Sequence, residues 1–199
     1  MTKFIFDLDG TVTTEETLPI IAKHFSLEKE LSQMTQDAVG GNVPWVESFI
    51  RRVFILGKLP VDDISDLLSK TKLNEKVLSF IHKNRDNCVI ATGNLDCWIN
   101  KLAEKIGCCV YCSNGLLKNN KVEKISMILK KENIVERYKA EGEKVVFVGD
   151  GNNDLEAMRY ADISVASGIV HMPAKSVLSI ADYLIFDEGT LCRQLNQLL

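Results

Sequence analysis

Apolar residues fall into two rhythms along this chain. From Thr13 to about Lys72 they recur at helical spacing in four stretches, Glu15 to Phe25, Leu27 to Val39, Pro44 to Leu56 and Val61 to Ser69, punctuated by Gly40-Gly41-Asn42 and Gly57-Lys58-Leu59-Pro60. After Leu73 the rhythm alternates. Short apolar runs that predict buried strands, Cys88 to Ala91, Cys109 to Tyr111, Lys144 to Val148, Ile163 to Val165 and Tyr183 to Ile185, are separated by helical stretches at Glu75 to Lys83, Leu95 to Ile106, Val122 to Lys131 and from Leu155 onward. One more strand, Phe4-Ile5-Phe6, precedes the helical block. Such β-α alternation predicts an α/β fold, a Rossmann-like parallel sheet with helices on both faces. The domain reading is a core formed by residues 1–13 and 73–199, with residues 14–72 an all-helical cap inserted after the first strand. That block is too small and too interrupted to bury a core of its own.

Three of the strands end in polar motifs. Phe4 to Phe6 runs into Asp7-Leu8-Asp9-Gly10-Thr11, Val89 to Ala91 into Thr92-Gly93-Asn94, and Val145 to Val148 into Gly149-Asp150-Gly151-Asn152-Asn153-Asp154. In a parallel sheet the carboxyl ends of such strands line one edge, where ligands bind. Carboxylates gathered at the ends of buried strands are costly unless a cation or a reaction uses them. Oxygen donors of this kind suit a hard cation such as Mg²⁺. Thr92 and Gly93 offer a hydroxyl and backbone N–H groups at an expected helix N-terminus, a cradle for phosphate oxygens. A lysine is then needed to neutralise a transferring phosphoryl group. Lys121, at the start of the helix expected before the Lys144 strand, is the first choice and Lys124 the second.

Composition narrows the partners. The 199 residues are 46% hydrophobic, with net charge −3 and no lysine- or arginine-rich block, so nucleic acid and anionic membranes are not expected partners. No apolar run reaches the roughly 18 residues of a membrane span, and the first strand begins too early for a leader segment, which makes a cytoplasmic location the expectation. The six cysteines include a lone Cys109-x-x-Cys112 without ligand-spaced histidines, read as reduced thiols rather than a zinc site. His24, His82 and His171 are scattered and receive no role.

The ordered set Asp7-x-Asp9, Thr92, Lys121 and Asp150 with Asp154 resembles the four motifs of the haloacid dehalogenase superfamily. The resemblance implies that Asp7 attacks phosphorus to form an aspartyl phosphate, while Asp9 protonates the leaving oxygen and then activates water. It implies Mg²⁺ held by the Asp7 carboxylate, the Asp9 backbone carbonyl and Asp150, with Asp154 in support. An acid at position 9 favours a phosphatase over a dehalogenase, because halide leaves unprotonated.

The helical insertion is similar to the small (C1-type) cap of the phosphoserine phosphatase branch. That likeness implies Glu16 facing a substrate ammonium, Arg52 gripping its carboxylate, and Asn153 beside the last aspartates. It also puts Val39, Trp45 and Phe49 near the substrate stem. The expected substrate is a small phosphomonoester, most simply phosphoserine, with another small phosphorylated metabolite as the alternative. A non-enzymatic phosphoacceptor or binding module is the reading from another class; a receiver-like acceptor would lie on a mid-domain strand and would need neither Asp9 nor a cap. Two departures from the branch stand out: Thr92-Gly93-Asn94 replaces Ser-Gly-Gly, and the segment Ser113 to Asn120 is expected to be shorter than the branch's β-hairpin.

Overall fold

The computed structural model describes residues 1–31 and 44–199. Val39 and most of the expected Leu27–Val39 helix lie outside them. Seven strands form one sheet in the order β4-β3-β2-β1-β5-β6-β7. They are β1 (Thr2–Phe6), β2 (Cys88–Leu95), β3 (Cys109–Lys118), β4 (Lys121–Met127), β5 (Lys144–Gly149), β6 (Ile163–Ser167) and β7 (Tyr183–Ile185). All neighbours pair in parallel except β3 and β4, which are antiparallel. The central strands read as unbroken apolar runs because both faces are covered. Phe4, Phe6, Ile90, Val146 and Val148 pack on one face, and Ile5, Val89, Ala91, Val145 and Phe147 on the other.

The second face is covered by α6 (Lys131–Ala140), α7 (Leu155–Tyr160) and α8 (Lys175–Leu178). The first face receives α4 (Glu75–Lys83), α5 (Asp96–Ile106) and α9 (Glu188–Asn196). The segment between β1 and α4 contributes α1 (Thr17–His24), α2 (Trp45–Leu56) and α3 (Val61–Ser69). Phe49, Val53 and Leu56 of α2 and Ile64 and Leu68 of α3 join the same apolar cluster as Phe4 and Phe6. Val12 and Thr13 meet Leu73 and Asn74 at the base of this insertion: Thr13 and Leu73 form an isolated bridge, and the Asn74 N–H donates to the Val12 carbonyl at 2.9 Å.

The stretch after Cys112 differs from expectation. Where the sequence reading put a short strand, a loop and a helix from Val122 to Lys131, the chain forms a hairpin of β3 and β4. Asn119 and Asn120 turn it with φ of 50° and 59°, the left-handed pair of a two-residue type I′ turn. The expected short wall is therefore corrected to a full hairpin. It rests on the insertion, with Val122 N–H donating to the Gly57 carbonyl at 3.0 Å and Val61 N–H to the Asn120 carbonyl at 2.8 Å.

Candidate active site

Strand β1 is where the sheet changes direction, with β2 and β3 built outward on one side and β5 to β7 on the other. Such a switch point leaves a crevice at the carboxyl ends of the strands. Phe6 pairs with Ile90 on one flank and Val148 on the other, so Asp7, Thr92 and Asp150 leave the sheet at nearly one level. Gly10 makes the turn after Asp7 with φ +65°, and a Cβ there would stand 3.0 Å from both Asp150 Oδ2 and His171 Nε2. The loop can thus fold close over Asp150 only with glycine.

Asp7, Asp150 and Asp154 are buried and place carboxylate oxygens within 4.8 Å of one another. Lys131, also buried, bridges them with Nζ at 2.6 Å from Asp7 Oδ1 and 2.6 Å from Asp154 Oδ1. Thr11 Oγ1 donates to Asp150 Oδ1 at 3.0 Å. Asp154 Oδ2 accepts the backbone N–H groups of Asp150 (3.0 Å) and Gly151 (2.9 Å), so this carboxylate organises the turn that carries Asp150. Burial, followed by the Asp154 charge, pushes Asp7 well above the usual carboxylate range, with Lys131 opposing. Burial and Asp154 push Asp150 to about 8. Burial disfavours the Lys131 charge, but Asp154 and Asp7 outweigh it and raise the ammonium above its ordinary value. Three carboxylates against one ammonium leave an excess of negative charge that a divalent cation would neutralise, and the all-oxygen donor set fits one.

Asp9 is held apart from this group. Its Oδ1 accepts the Thr17 N–H at the start of α1 (2.7 Å), and its Oδ2 accepts the Asn94 side-chain amide (2.6 Å). Burial, and then the charge of Glu16, push it to about 6. Thr92 is buried, and its Oγ1 accepts the Asn94 N–H at 3.2 Å. One N–H of the expected phosphate cradle is therefore turned inward, and the motif lies in the tail of β2 rather than on a helix N-terminus. Gly93 lies against the Trp45 ring, which stacks on Phe49 with centroids 5.2 Å apart; a Cβ on Gly93 would stand 2.4 Å from the indole Cζ2.

The other expected residues separate clearly. Burial lowers the Arg52 guanidinium from its ordinary value while the charges of Glu16 and Asp9 act against this, and its Nε donates to the Ser48 carbonyl at 3.3 Å. Arg51 instead pairs with Glu47 on the outer side of α2, and Glu15 is exposed. Asn153 lies on the short 3₁₀ turn with Asp154, folded over Gly151. Lys121 is corrected: it is exposed at the start of β4, opposite Lys118, and Lys124 is exposed on the same strand. A lysine does occupy the first position of the helix preceding β5, but that helix begins at Lys131.

His171, given no role from the sequence, comes from the β6–α8 loop to within 3.1 Å of Glu16 Oε1 and 3.3 Å of Asp150 Oδ2. Its hydrogen bond to Glu16 raises it to about 9. The sequence holds no signal for it, since that loop has neither period nor motif.

Residues 2–162 match the haloacid dehalogenase-like hydrolases, and the chain belongs to that family. Within it, the chain is 30% identical over 175 residues to the phosphoserine phosphatase of Methanocaldococcus jannaschii, covering 81% of this chain and 83% of that one. It is 28% identical to the phosphoserine phosphatase of Archaeoglobus fulgidus over 93% of this chain, which spans only 56% of that longer relative. Its fold is that of a solved phosphoserine phosphatase carrying an analogue of a phospho-aspartyl intermediate, with TM-score 0.81 and 23% identity over 98% of this chain and 99% of the other. No helix among the described residues is long and apolar enough to cross a membrane.

Proposed function

We propose that this hydrolase is a phosphatase that converts phosphoserine to serine and phosphate through an aspartyl phosphate on Asp7. The observation that carries the reading is the division of labour among the carboxylates. Asp7 shares a buried, lysine-bridged group with Asp150 and Asp154, while Asp9 stands apart on neutral donors with its proton affinity raised. Both contacts to Asp7 fall on Oδ1, from Lys131 and from the Leu8 N–H at 2.7 Å, which leaves Oδ2 to attack.

In the first step Asp7 Oδ2 bonds to phosphorus, the ester P–O bond breaks, and Asp9 gives its proton to the departing seryl oxygen. In the second, water attacks phosphorus, Asp9 takes its proton, and the P–O bond to Asp7 breaks, restoring both carboxylates. Lys131 and the Thr92 and Gly93 region bind the phosphoryl oxygens. Mg²⁺ would be held by Asp7, the Asp9 carbonyl and Asp150, and when bound it offsets charge on the transferring group. Glu16 faces the substrate ammonium and Arg52 its carboxylate, a guanidinium suited to bidentate pairing. Residues 14–72 act as a cap over the core, and Trp45 covers Gly93 in the phosphate cradle. The relatives' names and the six free thiols support a small-molecule substrate and a reducing, cytoplasmic compartment.

The test is phosphate release from L-phosphoserine beside sugar, nucleotide and amine phosphates, with Mg²⁺ or a chelator. Phosphoserine should lead, Asp7→Asn should be inactive, and Arg52→Ala should lose chiefly the phosphoserine activity. If another ester leads and Arg52→Ala leaves the ranking unchanged, the substrate reading falls.

A further inference from the structure

Asn94 makes four hydrogen bonds within the site that the chemistry above does not use. The residue is 4% exposed. Nδ2 lies 2.6 Å from Asp9 Oδ2 and 3.3 Å from Thr92 Oγ1, so both amide hydrogens have an acceptor. Oδ1 accepts the Thr17 hydroxyl at 3.2 Å, and the backbone N–H of Asn94 donates to Thr92 Oγ1 at 3.2 Å. We propose that Asn94 is a positioning residue for the phosphatase reaction: it fixes the carboxylate plane of Asp9 and sets the Thr92 hydroxyl to donate.

A threonine hydroxyl has two acceptor lone pairs and one hydrogen. Two N–H groups of Asn94 point at Thr92 Oγ1 and occupy the acceptor sites, so the hydroxyl hydrogen is what remains for a ligand. A donor is what an anionic phosphoryl oxygen requires. Asp9 is gripped by one donor on each oxygen, Thr17 N–H on Oδ1 and Asn94 on Oδ2, and Asn94 is itself anchored to Thr17. The carboxylate therefore cannot rotate about its terminal bond without breaking a contact. One side chain thus ties the tail of β2, the loop after β1 and the start of α1 into a single unit.

The inference rests on the assignment of Asp9 as acid and base, and its test uses leaving groups. A seryl or glyceryl oxygen needs a proton as it departs, whereas p-nitrophenolate leaves without one. Misplacing Asp9 should therefore damage alkyl esters selectively. Asn94→Leu, which is close in shape and carries neither donors nor charge, and Asn94→Ala should each lower the ratio of kcat/KM for phosphoserine to that for p-nitrophenyl phosphate by about tenfold or more. With p-nitrophenyl phosphate they should also show a burst of nitrophenolate before slow turnover, because breakdown of the aspartyl phosphate still needs Asp9. Asn94→Ser, which retains one donor, should fall between. Thermal melts identify any variant that has not folded, and the ratio is read from those that have. A ratio within about threefold of wild type in the folded variants, with no burst, overturns the proposal. Wild type that hydrolyses glycerol phosphate but not phosphoserine overturns the substrate reading alone; glycerol phosphate then takes its place in the same ratio.

Discussion

Removing the Lys131 ammonium would leave Asp7 and Asp154 buried without the cation that bridges them, with His171 at 3.3 Å still facing Asp150. Breaking a buried ion pair at one partner costs about 3–5 kcal/mol, and a cation aimed at a transferring phosphoryl group is worth about 10²–10³ in rate. Lys131→Met should accordingly lower the unfolding free energy of the Mg²⁺-free protein and reduce phosphate release by at least about 10²-fold. Lys121→Ala should leave turnover unchanged and stability within about 0.5 kcal/mol, as for other exposed sites. Equal losses in the two variants would return Lys121 to the site. Gly93 gives a sharper geometric case, since any side chain there strikes Trp45. Gly93→Ala should lower kcat/KM by roughly tenfold or more, and adding Trp45→Ala should recover part of that loss; no recovery would mean that the cradle backbone, not the indole, is what the methyl disturbs.

The β3–β4 hairpin is the element that the sequence hid, for a physical reason. Its register shifts between Asn114 and Gly115 and again between Leu116 and Leu117. Those irregularities break the period of two and leave Val122 and Ile125 three residues apart, a helical spacing. Asn119-Asn120, two residues that tolerate the left-handed region, carried a turn signal that the helical reading of Val122 to Lys131 passed over. Replacing both with alanine should cost about 1 kcal/mol per residue, the usual penalty for a side chain forced into that region, read as a lower denaturation midpoint with unchanged slope. A midpoint equal to wild type would show that packing against Gly57 and Val61, not the turn, sets the hairpin. The strands β1, β2 and β5 were readable because burial on both faces makes each a continuous apolar run. Their carboxyl ends then gave Asp7, Asp9, Thr92, Asp150 and Asp154. Lys131 was missed because the hairpin displaced the helix it begins. His171 and Asn94 act through contacts made across the fold, between segments that no local pattern connects.

Across the whole molecule, the carboxyl-edge cluster should make stability depend on pH and on metal together. Asp9 and Asp150 bind their protons more tightly folded than unfolded, their values rising from 3.8 to about 6 and about 8. His171 moves the same way, from 6.5 to about 9. For a group whose proton affinity rises on folding, the folded state holds the extra proton between the two values, so stability falls as pH climbs through that window. All three therefore have the same sign. Asp9 contributes from about 4 to 6, Asp150 on to about 8, and His171 from about 6.5 to 9. In a chelator, Tm should decline steadily from pH 6 to 9. A divalent cation competes with protons for Asp7 and Asp150, so the gain in Tm on adding Mg²⁺ should widen over the same range. Asp150→Asn removes one of the carboxylates and should flatten the decline in chelator while abolishing most of the Mg²⁺ gain. A chelated protein whose Tm is flat or rises from pH 6 to 8.5 would mean that the buried carboxylates are not the groups whose charging opposes folding, and that the cation is held for catalysis without offsetting a cost built into the fold.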